Sequence, residues 1–95
     1  MAAYVISEVE MAQEDAWDHY RQLAAESIER FGGKYIVRGA SQDVVEGQPS
    51  SRKIVIVEFP DMATLKKWYA SADYAKALVY KDRALKRKLM FVEGV

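Results

Sequence analysis

Two charged side chains stand at the ends of apolar segments that read as β-strands. Arg38 ends the segment 34–38, and Glu58 lies near the end of the segment 53–59. A hairpin turning near residue 48 would place the two nearly opposite each other, where they would form a cross-strand ion pair. Arg38 could instead face a cleft and bind a substrate carboxylate. Glu58, if buried away from an arginine, could act as a general base.

Aromatic side chains are grouped around a break in the second helical region. Trp68, Tyr69 and Tyr74 flank Ser71, where the helical pattern is interrupted. Aromatic residues at helical spacing commonly belong to a core. Alternatively, the rings line an apolar pocket in which the phenols and the Ser71 hydroxyl orient a small molecule. On that interpretation, a ligand-binding site is formed by Arg38, Trp68, Tyr69, Ser71 and Tyr74.

A catalytic base would have to come from a short set of side chains. Glu58 and His19 are the catalytic candidates, and Glu46 or a tyrosine would be a further option. His19 lies between Asp18 and Tyr20 in an amphipathic segment, and we expect it to be exposed to solvent. The chain has one histidine and no cysteine, so a thiol nucleophile and a disulfide are excluded and a strong transition-metal site is not expected. The sequence predicts no metal and no cofactor.

The charge balance argues against nucleic acid or an anionic membrane as a partner. Fourteen basic residues offset fourteen acidic ones among the 95 residues, so the chain has no net field to attract a polyanion. The basic run 86–88 is expected at the solvated end of a helix, where cations are favourable. Residues 1–4 lack the features of a signal peptide, and the longest aliphatic run, 54–57, is too short to cross a bilayer. We expect a soluble cytoplasmic protein with a single domain, residues 1–95.

Periodicity predicts the elements that position these residues. Alternation predicts a strand over 4–10. Segments rich in β-forming residues predict a hairpin of strands over 34–38 and 53–59, and a final short strand is predicted over 89–93. From residue 14 the apolar spacing changes to three or four, which predicts a helix that ends at Gly32-Gly33. A second helical region starts after Pro60, with Asp61 as its cap, and breaks near Ser71.

The order βαββαβ is that of a ferredoxin-like α+β fold, with a four-stranded antiparallel sheet and both helical regions on one face. The strand 53–59 is apolar on both sides, because Ile54 and Ile56 alternate with Val55, Val57 and Phe59. A sheet with one solvated face would alternate with polar residues instead. We therefore expect a second copy of the chain to cover the open face and form a homodimer. RNA-recognition motifs share the strand order, but their base-stacking aromatics are missing from this aliphatic strand.

Five short motifs are distributed along the chain: GGKYIVRG at 32–39, VEG at 45–47, IVEFP at 56–60, WYxSxxY at 68–74 and VEG at 92–94. Together they resemble a family of small bacterial domains of unknown function that has the dimeric α+β barrel fold. The resemblance covers nearly the whole chain and implies the fold and a homodimer, but no reaction. The chain departs from the family pattern at three places. The basic residue expected six before Phe59 is Lys53, with Arg52 beside it, and a Trp and Pro motif is reduced to Pro49. The usual helix arginine is replaced by Lys81.

Three classes of function are compatible with these features. The first is a homodimeric protein that binds a small organic molecule in a cleft between helix and sheet, without chemistry of its own. The second is a cofactor-independent oxygenase or isomerase acting on a small aromatic or carbonyl compound, an analogy from the fold. The third is a purely structural dimer, whose cleft would be filled by its own side chains. We favour the first hypothesis.

Overall fold

A computed structural model describes residues 1–95, in which four strands and three helices follow one another along the chain. None of the helices combines the length and the apolarity that a membrane span needs. The elements are β1 (Ala3–Met11), α1 (Glu14–Arg30), β2 (Lys34–Ser41), β3 (Lys53–Phe59), α2 (Met62–Tyr69), α3 (Ala72–Ala84) and β4 (Leu85–Glu93).

The four strands form one antiparallel sheet in the order β2-β3-β1-β4. The long strand β1 is central and pairs with β3 along one edge and with β4 along the other. The helices cover one face, and the core lies between them and the inward side chains of β1 and β3, including Val5, Val57 and Phe59. The fold is ferredoxin-like, as predicted.

The end of α1 is fixed by a pair of glycines. Gly32 has a φ of +75°, and the backbone N–H groups of Gly32 and Gly33 donate to the carbonyls of Glu29 and Ile28. This is a Schellman ending, which satisfies the last carbonyls of a helix. A Cβ at Gly33 would lie 2.7 Å from the Phe59 ring, so only glycine allows α1 to approach β3 so closely. The predicted helix end is confirmed.

The break between α2 and α3 is confirmed at Ser71. The Ser71 hydroxyl donates to the Trp68 carbonyl and accepts from the Tyr74 backbone N–H, so it closes one helix and caps the next. At the start of α2, the Asp61 carboxylate accepts from the Thr64 N–H at 2.7 Å. This hydrogen bond lowers the pKa of Asp61.

The last strand is longer than predicted. The prediction began it at residue 89 and placed the basic run 86–88 at a helix end, which is wrong, since β4 begins at Leu85 directly after Ala84. The nine residues of β1 offer backbone partners along their whole length, and Met11 pairs with Leu85. Pairing with β1 therefore extends the last residues of the expected helix into the sheet, and Arg87 becomes a strand residue that faces the helices.

The predicted ion pair between Arg38 and Glu58 does not form. Register shifts in β2 pair Lys34 with Glu58 and Arg38 with Val55, and the Lys34 ammonium lies 3.4 Å from the Glu58 carboxylate. Because side chains alternate along a strand, Arg38 lies on the face covered by helices and Glu58 on the open face. The pair nearest the loop, Ser41 with Lys53, places the turn one residue earlier than predicted, and the two bulges, which sequence periodicity does not reveal, shift the register further.

Candidate functional site

A cavity of about 150 Å³ lies between α1 and the sheet. All four strands contribute to its floor, α1 forms its roof, and Trp68 of α2 closes one end. Most of its lining is apolar. The lining residues are Val5, Ser7, Val9, Trp17, Tyr20, Arg21, Ala24, Ile28, Tyr35, Arg38, Gly39, Val55, Val57, Trp68, Leu85, Arg87 and Leu89.

Arg87 is the polar centre of this cavity. Its guanidinium donates to the Tyr20 hydroxyl at 2.7 Å and to the Tyr74 hydroxyl at 2.9 Å. The two phenol oxygens lie 2.6 Å apart and share a hydrogen bond. No carboxylate lies within ion-pair distance of Arg87. Its positive charge is therefore held among neutral groups.

Burial determines the protonation of this cluster. Burial raises the pKa of Tyr20 well above its ordinary value, and the neighbouring Tyr74 adds to the increase, so Tyr20 stays a neutral phenol. Burial acts to lower the pKa of Arg87, but the Tyr20 and Tyr74 oxygens outweigh it and the net shift is upward. Arg87 therefore remains a cation at every physiological pH.

Ser7 contributes an unpartnered hydroxyl to the floor of the cavity. The residue is 4% exposed, and its Oγ atom has no hydrogen-bond partner. A buried hydroxyl without a partner is destabilising, so such groups are rare in folded proteins. The hydroxyl is available to a ligand in the cavity.

Arg38 stands at the mouth of the cavity. Its guanidinium lies 4.3 Å from the centre of the Tyr35 ring, in cation–π contact. Arg38 and Arg21 line both the cavity and an open polar groove beside α1. That groove also contains Asp18, Glu26 and Glu29, so the acidic side chains lie outside the cavity.

The cavity contains cations, hydroxyls and apolar groups but no base. None of its lining residues is an aspartate, a glutamate or a histidine. Nowhere in the chain do three aspartate, glutamate or histidine side chains lie close enough together to hold a metal ion. The arrangement can therefore bind and orient a molecule, but it offers no carboxylate or imidazole to remove a proton from it.

The structure places the predicted ligand-binding residues in different surroundings. Arg38 and Trp68 line the cavity. Tyr74 is buried behind the cavity, where its hydroxyl contacts Arg87. Ser71 caps α3, and the 39% exposed Tyr69 packs its ring against Phe91. Trp68 and Tyr74 of the predicted aromatic cluster therefore form core, Tyr69 lies at the surface, and the open space lies on the α1 side of Trp68.

The predicted catalytic candidates lie away from the cavity. Glu58 is on the open face of the sheet with Lys34. His19 is exposed, as predicted, and its ring stacks on Tyr80 at 5.0 Å. Glu46 is exposed in the loop between β2 and β3.

Sequence reasoning missed Ser7 and Arg87 as functional candidates. Both interrupt apolar rows of alternating residues: Ser7 lies between Val5 and Val9, and Arg87 between Leu85 and Leu89. A polar residue on the buried face of a strand was the available signal. This signal was overlooked at Arg87 because the basic run 86–88 resembles a solvated helix end.

Comparison with known families identifies the domain. The model of the DUF1330 family, a domain of unknown function, matches residues 2–95. The chain belongs to the DUF1330 family. This confirms the membership of a family of unknown function that the motifs indicated. No curated protein matches this DUF1330 chain in sequence.

Solved structures similar to this DUF1330 chain share its fold at low sequence identity. A protein of unknown function from Rhodopseudomonas palustris has a TM-score of 0.78 and 19% identity, over 99% of this chain and 82% of that one. A dimeric ferredoxin-like protein of unknown function from Jannaschia sp. CCS1 has a TM-score of 0.69 and 13% identity, over 99% and 100%. SnoaB, a cofactor-independent oxygenase from Streptomyces nogalater, has a TM-score of 0.65 and 7% identity, over 99% and 93%.

Proposed function

We propose that this DUF1330 domain is a homodimeric protein that binds a small organic molecule in the cavity between α1 and the sheet. The cavity itself is the observation that carries the proposal, because its volume of about 150 Å³ is that of an engineered cavity known to hold benzene. A purely structural domain would fill this space with its own side chains, as the chain does beside Trp68.

Binding is better supported than catalysis. An oxygenase or isomerase acting on a carbon acid needs a base within reach of the substrate. Glu58, Glu46 and His19 lie elsewhere, and burial keeps the Tyr20 phenol protonated by raising its pKa. The fold shared with an oxygenase shows architecture and carries no reaction.

The open face of the sheet supports the homodimer. It carries half-buried or exposed apolar side chains from all four strands, which in water would form one continuous patch. Two of the solved structures with this fold are described as dimeric ferredoxin-like proteins. The patch consists of Tyr4, Ile6, Val37, Ile54, Ile56, Met90 and Val92.

Ligand binding is tested by thermal shift with phenol, benzoate, benzamide, isobutyrate and isobutyramide. We expect at least one compound to raise the melting temperature of the wild-type protein, because binding to the folded state stabilises it. Ala24→Leu places a larger side chain in the roof of the cavity and should abolish the shift. If no compound shifts the wild type, or if Ala24→Leu responds equally, the cavity is not a binding site.

The dimer is tested separately by native mass spectrometry. Ile56→Lys puts a charge in the apolar patch and should convert a dimer into a monomer. Val79→Lys is the matched control, since Val79 is 71% exposed on α3, and it should stay dimeric. A monomeric wild type would disprove the homodimer without bearing on the cavity.

A further inference from the structure

We propose that the ligand is a small organic monocarboxylate, whose carboxylate is bound by the Arg87 guanidinium and the Ser7 hydroxyl. This inference rests on the proposed function and names the class of molecule that the cavity selects. It follows from three independent features of the cavity: an unbalanced charge, an unpartnered donor and a limited volume.

The positive charge of Arg87 favours an anionic ligand. Arg87 is half-buried, and a partly desolvated guanidinium is stabilised most by a facing carboxylate, yet the partners of Arg87 are two phenols. Two of its five N–H groups are used by those phenols, and the others remain for a ligand. A carboxylate matches the planar fork of a guanidinium and binds it through charge-assisted hydrogen bonds.

Ser7 is placed to share that carboxylate. Ser7 pairs with Leu89 across β1 and β4, and the next pair on the same face is Val9 with Arg87. Ser7 and Arg87 are therefore diagonal neighbours on one face of the sheet, a spacing that a long side chain bridges. One carboxylate between them would accept a hydrogen bond from each and give the Ser7 hydroxyl the partner it lacks.

A monoanion fits this arrangement better than a phosphate. The inner part of the cavity holds a single cation, Arg87, whereas Arg38 and Arg21 stand at the mouth, where solvent and the acidic groove lie beside them. Phosphate sites commonly add a group of backbone N–H donors from a loop or helix start. Here every lining residue lies in a strand, in α1 beyond its first turn or at Trp68 of α2, so no loop or helix start faces the cavity.

The size of the ligand's apolar part is limited by the cavity volume next to Val55 and Leu89. A volume of about 150 Å³ accepts a six-membered ring or a short branched chain, as a benzene-sized cavity does. Trp17 and Tyr35 offer ring surfaces to such a group. Small aromatic or branched aliphatic monocarboxylates therefore match both the polar part of the site, Arg87 and Ser7, and its apolar part.

Matched acids and amides test the inference. Isothermal titration would compare benzoate with benzamide, and isobutyrate with isobutyramide, at pH 7. We expect each acid to bind about tenfold or more tightly than its neutral amide, because only the acid forms charge-assisted hydrogen bonds with Arg87. Arg87→Gln should remove this preference, and Arg83→Gln, on the exposed end of α3, should leave it unchanged.

Ser7→Ala keeps the inference testable if Arg87→Gln does not fold. It removes only the unpartnered hydroxyl and should weaken benzoate binding by about fivefold. Equal affinities for acid and amide in the wild type would overturn the carboxylate inference and leave cavity binding intact. Unchanged benzoate affinity in Ser7→Ala would remove Ser7 from the site, and a failure of all these compounds to bind would refute the proposed function as well.

Discussion

The layer between helices and sheet is packed tightly at one end and left open at the other. At the Trp68 end, formed by Phe59, Leu65, Trp68 and Tyr74, side chains are at most 2% exposed, and the Trp68 and Tyr74 rings lie 4.2 Å apart. At the Arg87 end, formed by Ser7, Trp17, Tyr20 and Arg87, the same layer encloses about 150 Å³. Trp68 is the boundary between the two.

Two buried serines show the same difference. Ser27 is 1% exposed, and its hydroxyl both donates to the Ala24 carbonyl and accepts from the Trp68 indole N–H. Ser7 is 4% exposed and has no partner. The Ser27 hydroxyl therefore stabilises the fold, whereas the Ser7 hydroxyl is left free for a ligand at a cost in stability. Binding sites commonly show this trade of stability for function.

The largest effect is expected from the two tryptophans. Trp68→Ala should lower the free energy of unfolding by about 3–5 kcal/mol, because it leaves a cavity in a tightly packed region. Trp17→Ala, which enlarges an existing space, should cost less than about 2 kcal/mol. Urea denaturation monitored by circular dichroism measures both. Equal losses would mean that the two ends are packed alike.

The two serines should respond in opposite directions. Ser27→Ala leaves the Trp68 indole N–H unpaired and should cost about 1–3 kcal/mol. Ser7→Ala removes a buried hydroxyl that has no partner and should raise the free energy of unfolding by about 1 kcal/mol. The same denaturation experiment applies. A loss in Ser7→Ala would show that its hydroxyl has a structural partner in solution.

Substitutions of two alanines compare the free space at the Trp68 end with that at the Arg87 end. Ala77 is fully buried in α3, so Ala77→Leu should overpack the core and cost about 1–3 kcal/mol. Ala24 lines the cavity, and Ala24→Leu should change the stability by less than about 1 kcal/mol, since the added group has space. The difference between the two melting temperatures is the measurement, and its absence would argue against an open cavity.

The smallest effect concerns pH and Tyr20. Because burial raises its pKa above the ordinary 10.0, the folded chain keeps the phenol proton that the unfolded chain loses. The contribution to stability is complete below pH 10 and falls as the pH rises toward the folded pKa, by at most about 1.4 kcal/mol per pH unit. Tyr20→Phe should show a shallower decrease above pH 10. Identical slopes would contradict the buried, neutral phenol.

Local patterns in the chain were sufficient to predict most of the fold. The Gly32-Gly33 pair marks the end of α1, Asp61 and Ser71 mark two helix starts, and the run of β-forming residues in 53–59 marks β3. Each of these signals acts within a few residues, so a linear reading detects it. The Trp68 and Tyr74 cluster was also recognisable as a group, although its rings form core at the edge of the cavity.

The site was less predictable because it depends on register. The bulge between Arg38 and Ala40 in β2 decides that Arg38 faces α1, because without it Arg38 would pair with Ile56 and lie on the open face. The face of Glu58 follows from alternation along β3. The extent of β4 decides that Arg87 points toward Tyr20 and Tyr74 rather than into solvent. Both outcomes rest on pairing with strands distant in sequence.

The sequence by itself determined the order of elements, their caps and the apolar character of both sheet faces, because these follow from short-range propensity and periodicity. Only the tertiary structure decided where space is left and which polar groups surround it. The cavity is lined by Ser7 of β1, Tyr20 of α1 and Arg87 of β4, and the packing of residues so far apart in the chain depends on strand register and on how closely the helix approaches the sheet.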